Sequence, residues 1–234
     1  IERKTYKIIM NYTTYYLSII ILIIACYIVG NISGAIILSV KIKKEDIRAL
    51  GSKNPGTTNM ARVFGLKLGI ITFFIDSLKG FISAFIGQFI FFNVLKYDLH
   101  YSMIAGYIAG LGVILGHNYP IIYNFRGGKG FATTIGVLIA MQPVPTIIFG
   151  LTGILLLFIV ERMSVFALVF FLVEAIYHQI TFGNNNLTIS IIMWIYFILG
   201  LIAHIPNIRR ILQKSEEPLS FIRNLKRNIV NGKK

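Results

Sequence analysis

Three short polar segments interrupt an otherwise apolar chain, and their residue types could bind an anion. The first reads Gly51-Ser52-Lys53-Asn54-Pro55-Gly56-Thr57-Thr58-Asn59-Met60-Ala61-Arg62. Glycine allows a ligand to approach the backbone closely, and converging N–H groups and cations bind anions. Lys53 and Arg62 supply the charge, while the hydroxyl and amide side chains supply hydrogen bonds. A solvated, turn-rich linker would have the same composition, so this segment alone leaves both readings open.

The second segment contains His117 and Pro120, followed by the run Gly127-Gly128-Lys129-Gly130. This run precedes an apolar stretch and is therefore predicted to open a helix, whose N-terminal N–H groups attract phosphate. Lys129 adds a point charge. The run is not a Walker A loop, which requires G-x-x-x-x-G-K-[ST]. His117, taken alone, fits a capping or packing residue better than a base.

The third segment places His204, Asn207 and Arg210 three residues apart, with Glu216 shortly after them. In a helix this spacing puts the first three side chains on one face. An ordinary polar helix end is the alternative interpretation.

Asp76 and Lys79 form a separate charged pair inside an apolar stretch. Ionisable groups within a membrane span are costly and usually face the protein interior. Because the two residues are three apart, we interpret them as a structural ion pair that organises the interior, rather than as catalysts.

The composition indicates what must position these segments. The chain has 234 residues, of which 56% are hydrophobic and 14% charged, with a mean hydropathy of +0.73. A soluble domain carries about 25% charged residues, so this surface must face lipid. The net charge of +14 is concentrated in a few loops and the C-terminal tail, which argues against nucleic-acid binding. The single cysteine, Cys26, excludes a disulfide framework or a cysteine zinc site within one chain.

The apolar stretches predict an all-α, polytopic transmembrane helical bundle of about seven spans. A bilayer core requires roughly 20 apolar residues in a helix. The candidate spans are 17–40, 68–92, 101–116, 131–142, 144–160, 164–182 and 187–204. The fourth is short, and two prolines, Pro143 and Pro145, separate it from the fifth. These two could also form a re-entrant pair, which would leave the parity of the topology unchanged.

The basic residues predict the orientation, because cytoplasmic loops are enriched in Lys and Arg. With seven spans and the N-terminus outside, the inner segments 41–67, 117–130, 161–163 and 205–234 carry 18 of the 23 basic residues. All three polar segments then lie at the cytoplasmic face. We divide the chain into an N-terminal segment 1–16, a transmembrane domain 17–204 and a basic cytoplasmic tail 205–234 that carries the end of the third motif.

Together these segments resemble the bacterial acyl-phosphate:glycerol-3-phosphate acyltransferase family, the membrane-integral Y-type enzymes of phospholipid synthesis. That family has the pattern G-S-x-N-x-G-[AT]-T-N-x-x-R, matched at 51–62. Its G-H-x-x-P and F-x-G-G-K-G patterns are matched within 116–130, and its D-x-x-K-G at 76–80. Its H-x-x-N-I-x-R is matched at 204–210. The resemblance extends from about residue 25 to 217.

Some positions depart from the family pattern. Lys53 stands where glycine is common, and Thr57 where alanine is usual. The family also has a serine-bearing segment between the fifth and sixth spans, for which 161–167 is a loose match that contributes Ser164.

The resemblance implies a reaction and a set of residues. The 1-hydroxyl of glycerol 3-phosphate attacks the acyl carbon of a fatty acyl phosphate, which gives lysophosphatidic acid and phosphate without a cofactor or metal. An acyl-phosphate-making enzyme would supply the donor, and membrane lipid would surround the acyl chain in the plasma membrane. The catalytic residues implied are Ser52, Arg62, Lys129, His204 and Asn207. The substrate-binding residues implied are Gly51, Asn54, Gly56, Thr58, Asn59, His117, Gly127, Gly128, Gly130, Ser164, Arg210 and Glu216.

Two other classes of protein remain as alternatives. A transporter for an anionic solute would use similar basic residues, but transporters often show inverted repeats and charges at the membrane midplane, and the sequence shows no repeat. A metal-dependent phosphotransferase would need grouped aspartates. The three aspartates, Asp46, Asp76 and Asp98, are far apart in the sequence.

Overall fold

The computed structural model describes residues 2–183, 186–219 and 222–223, with side chains from residue 12 onward. Nine α-helices follow one another in these ranges, and no strand occurs in them: α1 (Glu2–Gly30), α2 (Gly34–Leu38), α3 (Thr57–Phe64), α4 (Leu66–Phe89), α5 (Leu99–Asn118), α6 (Phe131–Met141), α7 (Pro143–Val160), α8 (Met163–Phe182) and α9 (Leu187–Leu212). Within the described chain, six helices are long and apolar enough to cross a membrane, namely α1, α4, α5, α7, α8 and α9. The shorter α6 is the seventh apolar segment. The predicted all-α transmembrane bundle is thereby confirmed.

The first and last predicted spans differ from the observed helices. The first predicted span is interrupted after Gly30, and the chain restarts at Gly34, where the Ser33 hydroxyl accepts a hydrogen bond from the N–H of Ile36 at 3.3 Å. Serine is a strong N-cap residue, and it therefore favours a new helix start at this point. At the other end, α9 continues through Pro206 to Leu212. A proline removes one helix hydrogen bond and can kink a helix without ending it.

Small residues allow close contacts between the helices that hold the polar segments. A methyl group added at Gly116 would collide with the carbonyl oxygen of Tyr27, so α1 and α5 pack backbone to backbone. A methyl group at Gly136 would collide in the same way with the carbonyl of Ser77. The Ser77 hydroxyl also donates to the carbonyl of Ala132 at 3.0 Å. These contacts fix the start of α6 against α4.

The outer surface of the bundle is apolar, as expected of a chain in lipid. Ile159 of α7 is 77% exposed and Ile180 of α8 is 79% exposed. The interior holds large buried side chains that include Tyr107, Met193 and Tyr196. Aliphatic side chains exposed along whole helices are stable only against hydrocarbon.

The predicted segment boundaries and the side of the membrane on which each terminus lies stay predictions. Residue 1 of the N-terminal segment and residues 220–221 and 224–234 of the basic tail lie outside the described residues. The part of the tail that is described returns to the bundle, because Leu219 and Ile222 are buried in the hydrophobic core.

Candidate active site

A cavity of about 420 Å³ brings the three polar segments together. Nearly all residues singled out in the sequence line it: Gly51, Ser52, Asn54, Gly56, Thr58, Asn59, Arg62, Asp76, His117, Lys129, Gly130, Ser164, His204, Asn207, Arg210 and Glu216. Gly127, Gly128 and Lys79 lie behind this lining. The polar residues of the loops therefore converge on one space, although they come from opposite ends of the chain.

The first segment forms a loop that is closed by the side chain of Asn59. Its Oδ1 accepts a hydrogen bond from the N–H of Ser52 at 2.9 Å, and its Nδ2 donates to the carbonyl of Leu50 at 2.9 Å. Gly51 has a φ of +54°, and a side chain there would collide with Asn59. Asn59 thus shapes the loop that presents Ser52, and α3, which begins after the loop, carries Arg62 in its last turn.

The glycine-rich second segment lies against the end of α5. The N–H of Gly128 donates to the carbonyl of His117 at 3.0 Å, and a side chain on Gly128 would collide with the His117 ring. The predicted phosphate contact of the Gly128 N–H would require this hydrogen bond to open. Gly130 has a φ of +78° and forms the N-cap of α6. The turn places Lys129 at the cavity wall.

The third segment presents one face of α9 to the cavity, as its spacing of three predicts. His204, Asn207 and Arg210 all line the cavity. The Nδ1 of His204 lies 2.8 Å from the carbonyl oxygen of Gly200. Because a carbonyl oxygen can only accept, Nδ1 carries the proton in neutral His204 and Nε2 is left as an acceptor.

Glu216 organises the donors that surround it. Its carboxylate accepts from the Ser164 hydroxyl at 3.1 Å, from the Arg210 Nε at 2.7 Å and from the Asn207 amide. Burial opposes ionisation, but the hydrogen bonds from Arg210 and Asn207 outweigh it and lower the pKa of Glu216. The carboxylate therefore fixes the side chains of α8 and α9 relative to each other.

Lys129 is a half-buried cation of the cavity wall. Its ammonium donates to the Oδ1 of Asn207, and within the described chain no carboxylate forms an ion pair with it. Burial is the main cause that lowers the pKa of Lys129 to about 8; the charges of Arg210 and Arg62 act in the same direction, and the charge of Glu216 acts against them. An anionic ligand beside Lys129 would therefore stabilise its charged form.

Arg62 has a weaker partner. Its Nε lies 3.5 Å from a carboxylate oxygen of Glu217, whose side chain is 76% exposed. Ion pairs of such exposed groups contribute about 0–1 kcal/mol. Arg62 can therefore exchange this carboxylate for an anionic ligand at little cost.

Behind the cavity wall, Lys79 lies 3.0 Å from Asp76 and 2.8 Å from the Nδ1 of His117. Both carboxylate and ammonium are almost fully buried. The two residues interpreted as an ion pair are thus in contact, and His117 joins them.

The sequence analysis did not predict the apolar part of the cavity lining. This part is formed by Phe73, Phe131, Met163, Ala167 and Leu219. Phe73 could have been found from its position three residues before Asp76 on the same helix. Leu219 has no such signal, since it reaches the cavity only because its N–H donates to the carbonyl of Glu161 at 2.8 Å.

The arrangement suits a ligand with phosphate groups and an apolar chain. Arg62, Lys129 and Arg210 offer positive charge, and the backbone and hydroxyl groups of the first loop offer further hydrogen bonds. Among the described residues, no group of three or more His, Cys, Asp or Glu side chains could hold a metal ion.

Comparison with known proteins agrees with this chemistry. The family model described as Glycerol-3-phosphate acyltransferase matches residues 20–214. A glycerol-3-phosphate acyltransferase of Finegoldia magna is 37% identical over 204 residues, which cover 87% of this chain and 98% of the relative. Another from Mycoplasma mobile is 31% identical over 234 residues, covering 89% and 95% of the two chains.

Two crystal structures have the same fold. Both are of PlsY (YgiH), an integral membrane glycerol 3-phosphate acyltransferase, with 28% sequence identity to this chain. The glycerol 3-phosphate form has a TM-score of 0.76 and covers 89% of this chain and 98% of PlsY. The lysophosphatidic acid form has a TM-score of 0.71 and covers 86% and 95%. With the family model matching most of its length, this chain belongs to the glycerol-3-phosphate acyltransferase family.

Proposed function

We propose that this protein transfers a fatty acyl group from acyl phosphate to the 1-hydroxyl of sn-glycerol 3-phosphate. The products are 1-acylglycerol 3-phosphate, which is lysophosphatidic acid, and inorganic phosphate. The observation that carries the proposal is the convergence of Arg62, Lys129 and Arg210 on one cavity that also has an apolar wall. Both substrates carry phosphate, so a site with several cations suits the pair.

The proposed reaction needs no protein nucleophile. The hydroxyl oxygen of glycerol 3-phosphate forms the new ester bond to the acyl carbon, and the bond from that carbon to the phosphate oxygen breaks. The departing phosphate takes the proton of the hydroxyl. Because the mixed anhydride is already activated, catalysis consists of proximity and electrostatic stabilisation.

Each polar residue then has a positioning role. Arg62, Lys129 and Ser52 would hold phosphate oxygens, while Asn207 would orient Lys129 through their hydrogen bond. The Nε2 of His204, left as an acceptor, would accept a hydrogen bond from the attacking hydroxyl. Glu216 would orient Ser164, Asn207 and Arg210 rather than contact the substrate, since it accepts a hydrogen bond from each of them.

The acyl chain would extend along the apolar wall towards the surrounding lipid. Phe131 supports this path, because its ring contacts those of Phe166, Phe170 and Phe171 and extends the apolar wall into the bundle. We place the cavity at the cytoplasmic face of the plasma membrane, as the basic loops predict, where an acyl-phosphate-making enzyme would supply the donor.

The direct test is to supply the purified protein in detergent with glycerol 3-phosphate and acyl phosphate. We expect lysophosphatidic acid to form, and a parallel reaction with acyl-CoA should give none. Product from acyl-CoA alone would overturn the donor assignment. A transporter would give no product in detergent and would need a sealed vesicle to show activity.

Two adjacent glutamates provide a matched pair of variants. We expect Glu216→Gln to lower kcat/KM for glycerol 3-phosphate roughly 10- to 100-fold, because it weakens charge-assisted hydrogen bonds to Arg210 and Asn207. Glu217→Gln makes the same chemical change at a side chain that is 76% exposed and should alter kcat/KM by less than about fivefold. Equal effects at both positions would contradict the organising role of Glu216.

The pKa of Lys129 predicts a pH dependence. With a pKa of about 8, this lysine is charged at neutral pH and loses its charge as the pH rises through that value. We therefore expect kcat/KM for glycerol 3-phosphate to fall about tenfold per pH unit above this point. Lys129→Arg keeps its charge throughout, so its kcat/KM should stay level over the same range. The same decline in both proteins would assign it to another group.

A further inference from the structure

Lys79 makes more contacts than an ion pair with Asp76 requires. Its ammonium lies 3.1 Å from the carbonyl oxygen of Gly30, and it also donates to the carbonyl of Ile32. The carboxylate of Asp76 is 3.0 Å away and the Nδ1 of His117 is 2.8 Å away. Four acceptors therefore surround a group that has three hydrogens.

The two carbonyl groups fix the position of this ammonium. They belong to the end of α1 and to the break that follows it, where helix carbonyls lack partners within the helix. The side chain of Lys79 is 6% exposed, so water does not replace these contacts. Lys79 thus links the broken end of α1 to α4 and to His117 on α5.

The contact with Lys79 determines which nitrogen of His117 carries the proton. An ammonium can only donate hydrogen bonds, so the Nδ1 that faces it at 2.8 Å must accept. The carboxylate of Asp76 competes for Nδ1, but it is 3.7 Å away, which is too far for a hydrogen bond. A doubly protonated ring would also place two cations side by side. Neutral His117 therefore has its proton on Nε2.

The other ring nitrogen of His117, Nε2, faces the backbone of Gly128 at the cavity wall. The ring lies against Gly128 and lines the cavity. Among the residues that the structure describes, none accepts a hydrogen bond from this nitrogen. His204, on α9, has the reverse arrangement: its Nδ1 donates to the carbonyl of Gly200 and its Nε2 is left as an acceptor.

We propose that Lys79 is a positioning residue that holds His117 in the Nε2–H form, so that His117 donates a hydrogen bond to an anionic phosphoryl oxygen in the cavity. His117 then cannot act as a base, because the nitrogen that could take a proton is occupied by Lys79. The part of this inference that concerns the ligand rests on the proposed function, whereas the part that concerns the protonated nitrogen does not.

The first test is spectroscopic and independent of activity. The full chain is labelled with ¹⁵N-histidine in detergent micelles, and the signals of His117 are those that disappear in His117→Gln. We expect the Nε2 of His117 to be protonated and its Nδ1 unprotonated at neutral pH. A protonated Nδ1 on this ring would overturn the proposal, whichever acyl donor the enzyme uses.

A second measurement uses substitutions of Lys79. In Lys79→Met the ammonium is lost while the Asp76 carboxylate, 3.7 Å from Nδ1, remains as an acceptor, so we expect the proton to move to Nδ1. In Lys79→Arg, which keeps a donor, the proton should remain on Nε2. An unchanged spectrum in a folded Lys79→Met protein would contradict the role of Lys79. Should that variant fail to fold, the spectrum of the unsubstituted protein still tests which nitrogen of His117 carries the proton.

The ligand contact is tested by two substitutions at position 117, one that keeps a hydrogen-bond donor and one that removes it. The amide of glutamine can place an N–H near the position of Nε2, whereas leucine offers no donor. We expect His117→Leu to raise KM for glycerol 3-phosphate or for acyl phosphate roughly 10- to 100-fold, and His117→Gln to recover most of this loss. Equal losses in both variants would indicate a packing role and overturn the hydrogen-bond assignment.

Discussion

Arg62→Ala is expected to lower kcat/KM for glycerol 3-phosphate by about 100- to 1,000-fold, the range found when a donor to developing charge is removed. Arg62 lines the cavity, and its only close carboxylate among the described residues, that of Glu217, is largely exposed. The guanidinium is thus available to a phosphate group, with which it can form two parallel hydrogen bonds. Alanine removes both the positive charge and the planar group that could form these two hydrogen bonds.

The matched control for this change is Lys67→Ala. Lys67 belongs to the same predicted inner segment as Arg62 but is exposed and does not line the cavity. Its loss should leave kcat/KM nearly unchanged, and both variants should reach the membrane in normal amounts. Near-normal turnover by Arg62→Ala would show that Arg62 does not take part in catalysis or substrate binding.

Lys129→Ala should have an effect of similar size, again about 100- to 1,000-fold in kcat/KM. The ammonium of Lys129 is half-buried and donates to Asn207, which in turn donates to Glu216. Alanine therefore removes a charge from the cavity and also leaves the Oδ1 of Asn207 without its donor. An unpaired buried polar atom is itself costly, so the orientation of Asn207 should be lost as well.

The control for Lys129→Ala is Arg126→Ala in the same loop. Arg126 is exposed and lies outside the cavity lining, so its removal changes the charge of the loop without changing the cavity. We expect its kcat/KM to stay close to that of the unsubstituted protein. Should both variants lose activity equally, the general positive charge of the loop, rather than Lys129 itself, would explain the effect.

The sequence predicted the parts of the fold that depend on composition and periodicity. The long apolar stretches predicted the helices, and the spacing of His204, Asn207 and Arg210 predicted the face of α9 that lines the cavity. These features follow from local chemistry and from the length that a bilayer requires.

Other features depend on contacts between distant residues and could not be predicted. The break after Gly30 is stabilised by Lys79, which comes from another helix. The resemblance implied that Asn59 and Glu216 bind substrate, which stays a prediction; their hydrogen bonds to protein groups could be found only from the structure. Which nitrogen of each histidine carries a proton likewise follows only from three-dimensional neighbours such as Gly200.

The cavity wall combines a loop near the beginning of the chain, 51–62, with residues 215–219, which follow the last described membrane helix. A ribosome must therefore translate all nine described helices, and the membrane spans among them must be inserted, before Arg62 can meet Glu217. Until then the loop 51–62 lacks the part of the cavity wall that residues 215–219 form. Synthesis that stops before residue 215 should leave a membrane-inserted but inert product, so the cavity is complete only after the helices on both sides of it have been made.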